Sequence, residues 1–158
     1  IQSGTSLSSN QNTGKFDLTR LKQMVNVAQK NNLKSKEHNG DYIPEELIRL
    51  KMRNGLDSIN IAPEFGLIET QTYLNQIKNR KQLFDRYWEI CYNSKKWVKW
   101  VGKDFDPIKQ KENLIKICGH YVLSNKQFIN DIKSQFEDID KLIKKNIMDK
   151  LISLHKTV

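Results

Sequence analysis

Apolar and polar positions alternate between two regimes along the chain. Leu18, Leu21, Met24, Val25 and Ala28 recur at helical spacing behind Asp17, which is placed to cap the first turn. That helix is expected to stop at Asn31 and Asn32, residues that tolerate the left-handed backbone of a helix end. A second helix follows Pro44, with Leu47, Ile48 and Leu50, and Gly55 is its natural stop. A third carries Leu67, Thr70, Tyr73, Leu74 and Ile77. Between them, residues 33–37 and 57–61 read as short strands, and residues 1–6 read as the end of a strand running into a loop. Residues 7–15 are polar and read as loop.

The order strand, helix, strand, helix, strand, helix implies parallel strands joined by helical crossovers. Three strands neither close a barrel nor satisfy both sheet edges, so the pattern predicts part of a larger α/β fold. Such a piece is expected to be marginal in isolation. Ile1-Gln2 also suggests a chain cut from something longer. Beyond residue 79 no strand is expected. Leu83, Tyr87, Ile90 and Cys91, then Ile108, Leu114, Ile115 and Cys118 behind Asp106-Pro107, then Phe128, Ile129 and Ile132, mark helices. Ile139, Leu142, Ile143, Ile147, Leu151 and Leu154 mark a long amphipathic one. The expected organisation is therefore 1–78 as βα units and 79–158 as a helical extension.

Charge changes this picture little. The net charge is +9, but the lysines are spread over the whole chain, which suits solvated faces better than a nucleic-acid site. Lys95-Lys96-Trp97-Val98-Lys99-Trp100 mixes rings and cations, and packing of the helical half against the barrel explains it better than base stacking does. Cys91 and Cys118 stand alone, without a CxxC pair, and read as reduced thiols of a cytoplasmic protein. No uncharged apolar run approaches the roughly 20 residues that span a bilayer.

Candidate chemistry lies on the loops behind the strands, because parallel α/β folds bind ligands at the carboxyl ends of their strands. Thr5 and Ser6 sit on the first loop, with Gly4 beside them, and can cradle an anion. His38 and Asp41 sit on the second. His38 is a metal ligand, an acid–base group or a structural histidine at the barrel mouth. Asp41 binds a sugar hydroxyl or stabilises the turn before Pro44. Asn60 and Glu64 sit on the third loop, and Glu64 is a base, a polyol-binding carboxylate or a helix-terminal cap. Cys118 and His120 are too close in sequence to make a catalytic dyad, although His120 could face the site from the appended helices.

Lys36-Glu37-His38-Asn39-Gly40-Asp41-Tyr42, followed by Gly55-Leu56-Asp57-Ser58-Ile59-Asn60-Ile61-Ala62-Pro63-Glu64-Phe65, resembles one family. It is similar to the accessory, non-catalytic subunits of class II D-tagatose-1,6-bisphosphate aldolase, which carry an E-x-H-x-x-D-Y loop late in the barrel. The resemblance implies the C-terminal part of a TIM (β/α)8 barrel, about three parallel strands, followed by a helical extension. By the looser likeness to zinc-dependent class II aldolases, His38 falls at a metal-ligand position and Asn60 at a substrate-binding asparagine. Asn39-Gly40-Asp41-Tyr42 replaces the Gly-Ser phosphate loop of those enzymes, and Pro63 stands where a phosphate-binding Thr is expected. The implied function is carbohydrate metabolism: metal-assisted aldol cleavage of a sugar phosphate or related sugar in the intact protein, with zinc as the metal. Catalysis would fall to His38 and Glu64, and substrate contact to Asp41, Asn60, Thr5 and Ser6. The alternative is an accessory subunit that stabilises an aldolase partner, and the protein partner expected is such a subunit or a second copy of this chain in a homo-oligomer. The remaining metal-binding histidines of such an enzyme would lie upstream, so these 158 residues alone are expected to be inactive.

Overall fold

The Asp17 carboxylate accepts from the Arg20 backbone N–H at 3.0 Å and opens α1 (Leu18–Lys30), whose Leu21 and Val25 are buried one turn apart. The helix ends at Asn31, and Asn32 takes the left-handed conformation (φ 55°) expected of it. Next, α2 (Glu45–Arg53) starts behind Pro44 and ends at Asn54, with Gly55 at φ 91°. These features come from a computed structural model describing residues 1–8 and 10–157. The protein is mixed α/β and mostly helical, with two small two-stranded sheets among the described residues. No helix among those residues is long and apolar enough to cross a membrane.

The chain divides into two compact units, Ile1–Glu64 with Lys150–Val158, and Phe65–Asp149. In the first, β3 (Lys36–Glu37) and β4 (Ser58–Ile59) pair in parallel, with Lys36 opposite Ser58 and Glu37 opposite Ile59. Ile1 flanks β3 on its other side. Its amino group donates to the Lys36 carbonyl, and its carbonyl accepts from His38 N–H at 3.0 Å. That alternation is the bonding of a parallel neighbour whose Ile1 stands opposite Glu37. Leu21, Val25 and Leu56 form the apolar core of this unit, and Ile1, Phe16, Leu18, Met52 and Ile59 pack around them.

Where a polar loop was expected, β1 (Leu7–Ser8) and β2 (Gln11–Asn12) form an antiparallel hairpin. Ser9 lies outside the described residues. Asn12 explains the order. Its Oδ1 accepts from Ser6 and Gly14 N–H, both at 3.2 Å, and its Nδ2 donates to the Asn39 and Asp41 carbonyls, both at 2.9 Å. One side chain thus ties the hairpin to the loop behind β3. Only glycine fits at position 4, where φ is 108° and a Cβ would lie 1.8 Å from the Lys15 carbonyl oxygen.

The second unit is helical. It contains most of α3 (Pro63–Ile77), then α4 (Lys81–Ser94), α5 (Lys111–Cys118), α6 (Lys126–Asp131) and most of α7 (Ile139–Thr157). Its core is aromatic and aliphatic. Phe128 packs edge-on against Tyr73 at 4.9 Å between ring centres, and Tyr87 meets Phe128 at the same distance. Each such ring pair contributes about 0.5–1.5 kcal/mol beyond the area it buries. Cys91 and Cys118 are free and buried in the same core. The Asp106 carboxylate accepts from Ile108 and Lys109 N–H, so Asp106-Pro107 closes a turn and α5 starts only at Lys111.

Candidate ligand-binding site at the ends of the parallel strands

Glu37 fixes which way the parallel strands face. Its carboxylate is fully buried and accepts from Ser3 N–H and Ser3 Oγ, both at 2.7 Å, and from Thr5 Oγ1 at 3.0 Å. Lys51 Nζ of α2 lies 3.4 Å away, donates to Ser3 Oγ at 2.6 Å and sits over the Phe16 ring at 4.4 Å. Burial pushes the Glu37 carboxyl up, but the Ser3 hydroxyl, the Ser3 N–H, the Lys51 charge and Thr5 outweigh it, and the group is held below its ordinary value. Burial lowers the Lys51 ammonium, with Glu37 opposing.

Side chains alternate across a strand, so the neighbours of Glu37 point away from the helices. Gln2, His38 and Asn60 directly follow the register Ile1, Glu37, Ile59 and alternate to the opposite face, and the ladder ends there, where Asn39 takes a φ of 57° and Gly40 instead of Asn39 donates to the Asn60 carbonyl. One layer below, Lys36 stands opposite Ser58. Gln2, Lys36 and His38 are exposed, and Ser58 and Asn60 half-buried.

The loops beyond this row are locked to one another. Asp41 is buried, and its Oδ1 accepts from Ala62 N–H at 2.8 Å and Glu64 N–H at 2.9 Å. Glu64 answers by accepting from Tyr42 N–H at 2.8 Å, and its other oxygen pairs with Lys150 at 2.7 Å. Because Asp41 caps α3, that helix begins at Pro63, ahead of Leu67, the first of its expected apolar positions. Gly40 N–H donates to the Asn60 carbonyl at 2.9 Å.

The residues singled out from sequence therefore separate. His38 and Asn60 each follow the last paired residue of their strands, and neither side chain is hydrogen-bonded within the described residues. Thr5 is buried, its hydroxyl shared between Glu37 and the His38 carbonyl. Ser6 is exposed, with its N–H on Asn12. The Asp41 carboxylate is occupied by two backbone N–H groups, and that of Glu64 by Tyr42 N–H and the Lys150 ammonium. Among the described residues no group of three or more His, Cys, Asp or Glu side chains could hold a metal ion. His38 alone does not make a zinc site.

Gln2, Lys36, Ser58 and the Glu37–Lys51 pair escaped the sequence reading. Lys51 carried a signal, since it continues the apolar face of α2 three and four residues after Ile48 and Leu47. In the second unit, the Trp97 indole stacks on Tyr92 at 5.9 Å and donates to the Tyr92 carbonyl, while Lys99 lies over the Trp100 ring at 4.7 Å. His120 packs against Gly66, and its Nδ1 is buried without a partner among the described residues. Burial, and then the Lys99 charge, hold its imidazole below the ordinary value.

No protein-family model, curated protein or solved structure matches this chain.

Proposed function

We propose that the chain forms the late strands of a class II aldolase-like (β/α)8 barrel in carbohydrate metabolism, with a sugar phosphate or related sugar bound at the ends of its parallel strands. The observation that supports this most is the row of Gln2, His38 and Asn60 beneath mutually locked loops. Two amides and an imidazole on one face offer donors and acceptors for neighbouring sugar hydroxyls, at the end of the strands where such folds bind ligands. The helices after residue 79 are the extension of that barrel.

A divalent metal such as zinc would polarise a substrate carbonyl in an aldolase of this kind. The residues present do not complete such a site, so the role assigned here is to hold and orient the sugar. A second reading, an accessory subunit beside an aldolase partner, is favoured by the commitment of Asp41 and Glu64 to backbone N–H groups. That leaves His38 as the acid–base group of the row.

Calorimetric titration with D-tagatose 1,6-bisphosphate, paired with a zinc-supplemented cleavage assay, tests both. Each of His38→Ala and Asn60→Ala is expected to weaken binding roughly 2- to 10-fold, the worth of one hydrogen bond. Binding with cleavage supports the enzyme, and binding without cleavage the accessory subunit. Absence of binding overturns the sugar site.

A further inference from the structure

The carboxylates around the row are all engaged. Glu37 faces the helices and Lys51, Asp41 holds Ala62 and Glu64 N–H, and Glu64 holds Tyr42 N–H and Lys150. Asp57 accepts from Ser35 N–H at 2.8 Å and pairs with Lys34 at 3.1 Å. Lys36, in contrast, pairs with no carboxylate among the described residues, is exposed, and stands opposite Ser58, whose hydroxyl donates to the Ser35 carbonyl at 3.3 Å. It stands on a face that parallel sheets ordinarily keep covered.

We propose that Lys36 is the residue that selects an anionic sugar at this site, binding the ligand's phosphate or carboxylate while Gln2, His38 and Asn60 take its hydroxyls. The inference rests on the sugar-site reading above and adds the position and sign of the charge. Two residues along a strand separate the rows by about 6.6 Å, a distance that a six-carbon sugar bridges from end to end. The anion therefore lies one layer down the sheet from the loops. Thr5 and Gly4, on the first loop, are not required to hold it, since the Thr5 hydroxyl is already shared by Glu37 and the His38 carbonyl. An ammonium meeting an oxyanion makes a charge-assisted bond, about twice as strong as a neutral one.

The test is a binding series on the full chain with D-tagatose 6-phosphate, D-galacturonate and uncharged D-tagatose, using Lys36→Gln and Lys34→Gln. Lys34 is the control, since it is exposed and already paired with Asp57. The expected result is a loss of about tenfold for the anionic sugars in Lys36→Gln alone, corresponding to about 1.4 kcal/mol, with D-tagatose unchanged. The better-bound anion identifies whether phosphate or carboxylate is the natural group. Equal affinity of wild type and Lys36→Gln for both anions overturns the role of Lys36 and leaves the sugar site standing. Failure of all three sugars to bind wild type overturns both.

Discussion

The two units hold themselves together by opposite means. In the first, the apolar core is small and the fixed points are polar: Glu37 with Ser3, Thr5 and Lys51, Asn12 with four backbone groups, and Asp41 with the start of α3. In the second, buried rings and aliphatic side chains from α3 to α7 make one continuous cluster. A polar network needs every partner present, because a buried group left unpaired keeps its full desolvation cost. An apolar cluster loses stability in proportion to the volume removed. The first arrangement fixes directions, which suits a unit that aims a row of side chains. The second supplies bulk.

Removing Lys51 breaks the comparison hardest. Lys51→Met leaves the Glu37 carboxylate buried without its counter-charge and is expected to cost about 3–5 kcal/mol by urea denaturation. Adding Glu37→Leu to it should restore only part of that loss, since the buried charge is gone but the Ser3 N–H loses its acceptor. The same pair gives an acid limb. The folded-state value of Glu37 lies below its ordinary one, so its contribution is present above the ordinary carboxylate range and is lost as pH falls through the lowered value.

Phe128→Ala, in the ring cluster of the second unit, is expected to cost about 3–5 kcal/mol as a cavity. Hydrogen exchange at residues 36–38 should stay unchanged in that variant, which separates the two kinds of core. A smaller effect, about 1–2 kcal/mol, is expected for Asp41→Ala, the loss of a helix cap. Amide exchange in the first turn of α3 should then speed up ahead of exchange in its last turn. The smallest effect comes from His120. Because burial and Lys99 lower its folded-state value, the unfolded chain takes up the proton first. Stability of the second unit should therefore decline as pH falls from neutral through the ordinary imidazole range, and His120→Asn should flatten that slope.

How far sequence reached follows the same division. Helices with an apolar stripe and a local stop were legible, as Asp17, Asn32 and Gly55 show. Segments held by distant partners were not. The hairpin of β1 and β2 depends on Asn12 reaching Asn39 and Asp41, and the early start of α3 depends on a carboxylate 21 residues before Ala62. His38 and Asn60 were legible because they lie on loops behind strands. Gln2, Lys36 and Ser58 were missed because they lie within the strands, and only the register, together with the burial of Glu37, assigns them a face. Asp41 and Glu64 read as chemistry from sequence, but their oxygens hold backbone N–H groups and, at Glu64, the Lys150 ammonium.

The most direct measurement is an amide NMR titration of the chain with D-tagatose 1,6-bisphosphate. Shifts concentrated at residues 2, 36, 38, 58 and 60, with residues 73, 87 and 128 still, are the expected result. Shifts confined to the helical unit, or none at saturating sugar, would contradict the assignment of this row as the binding site.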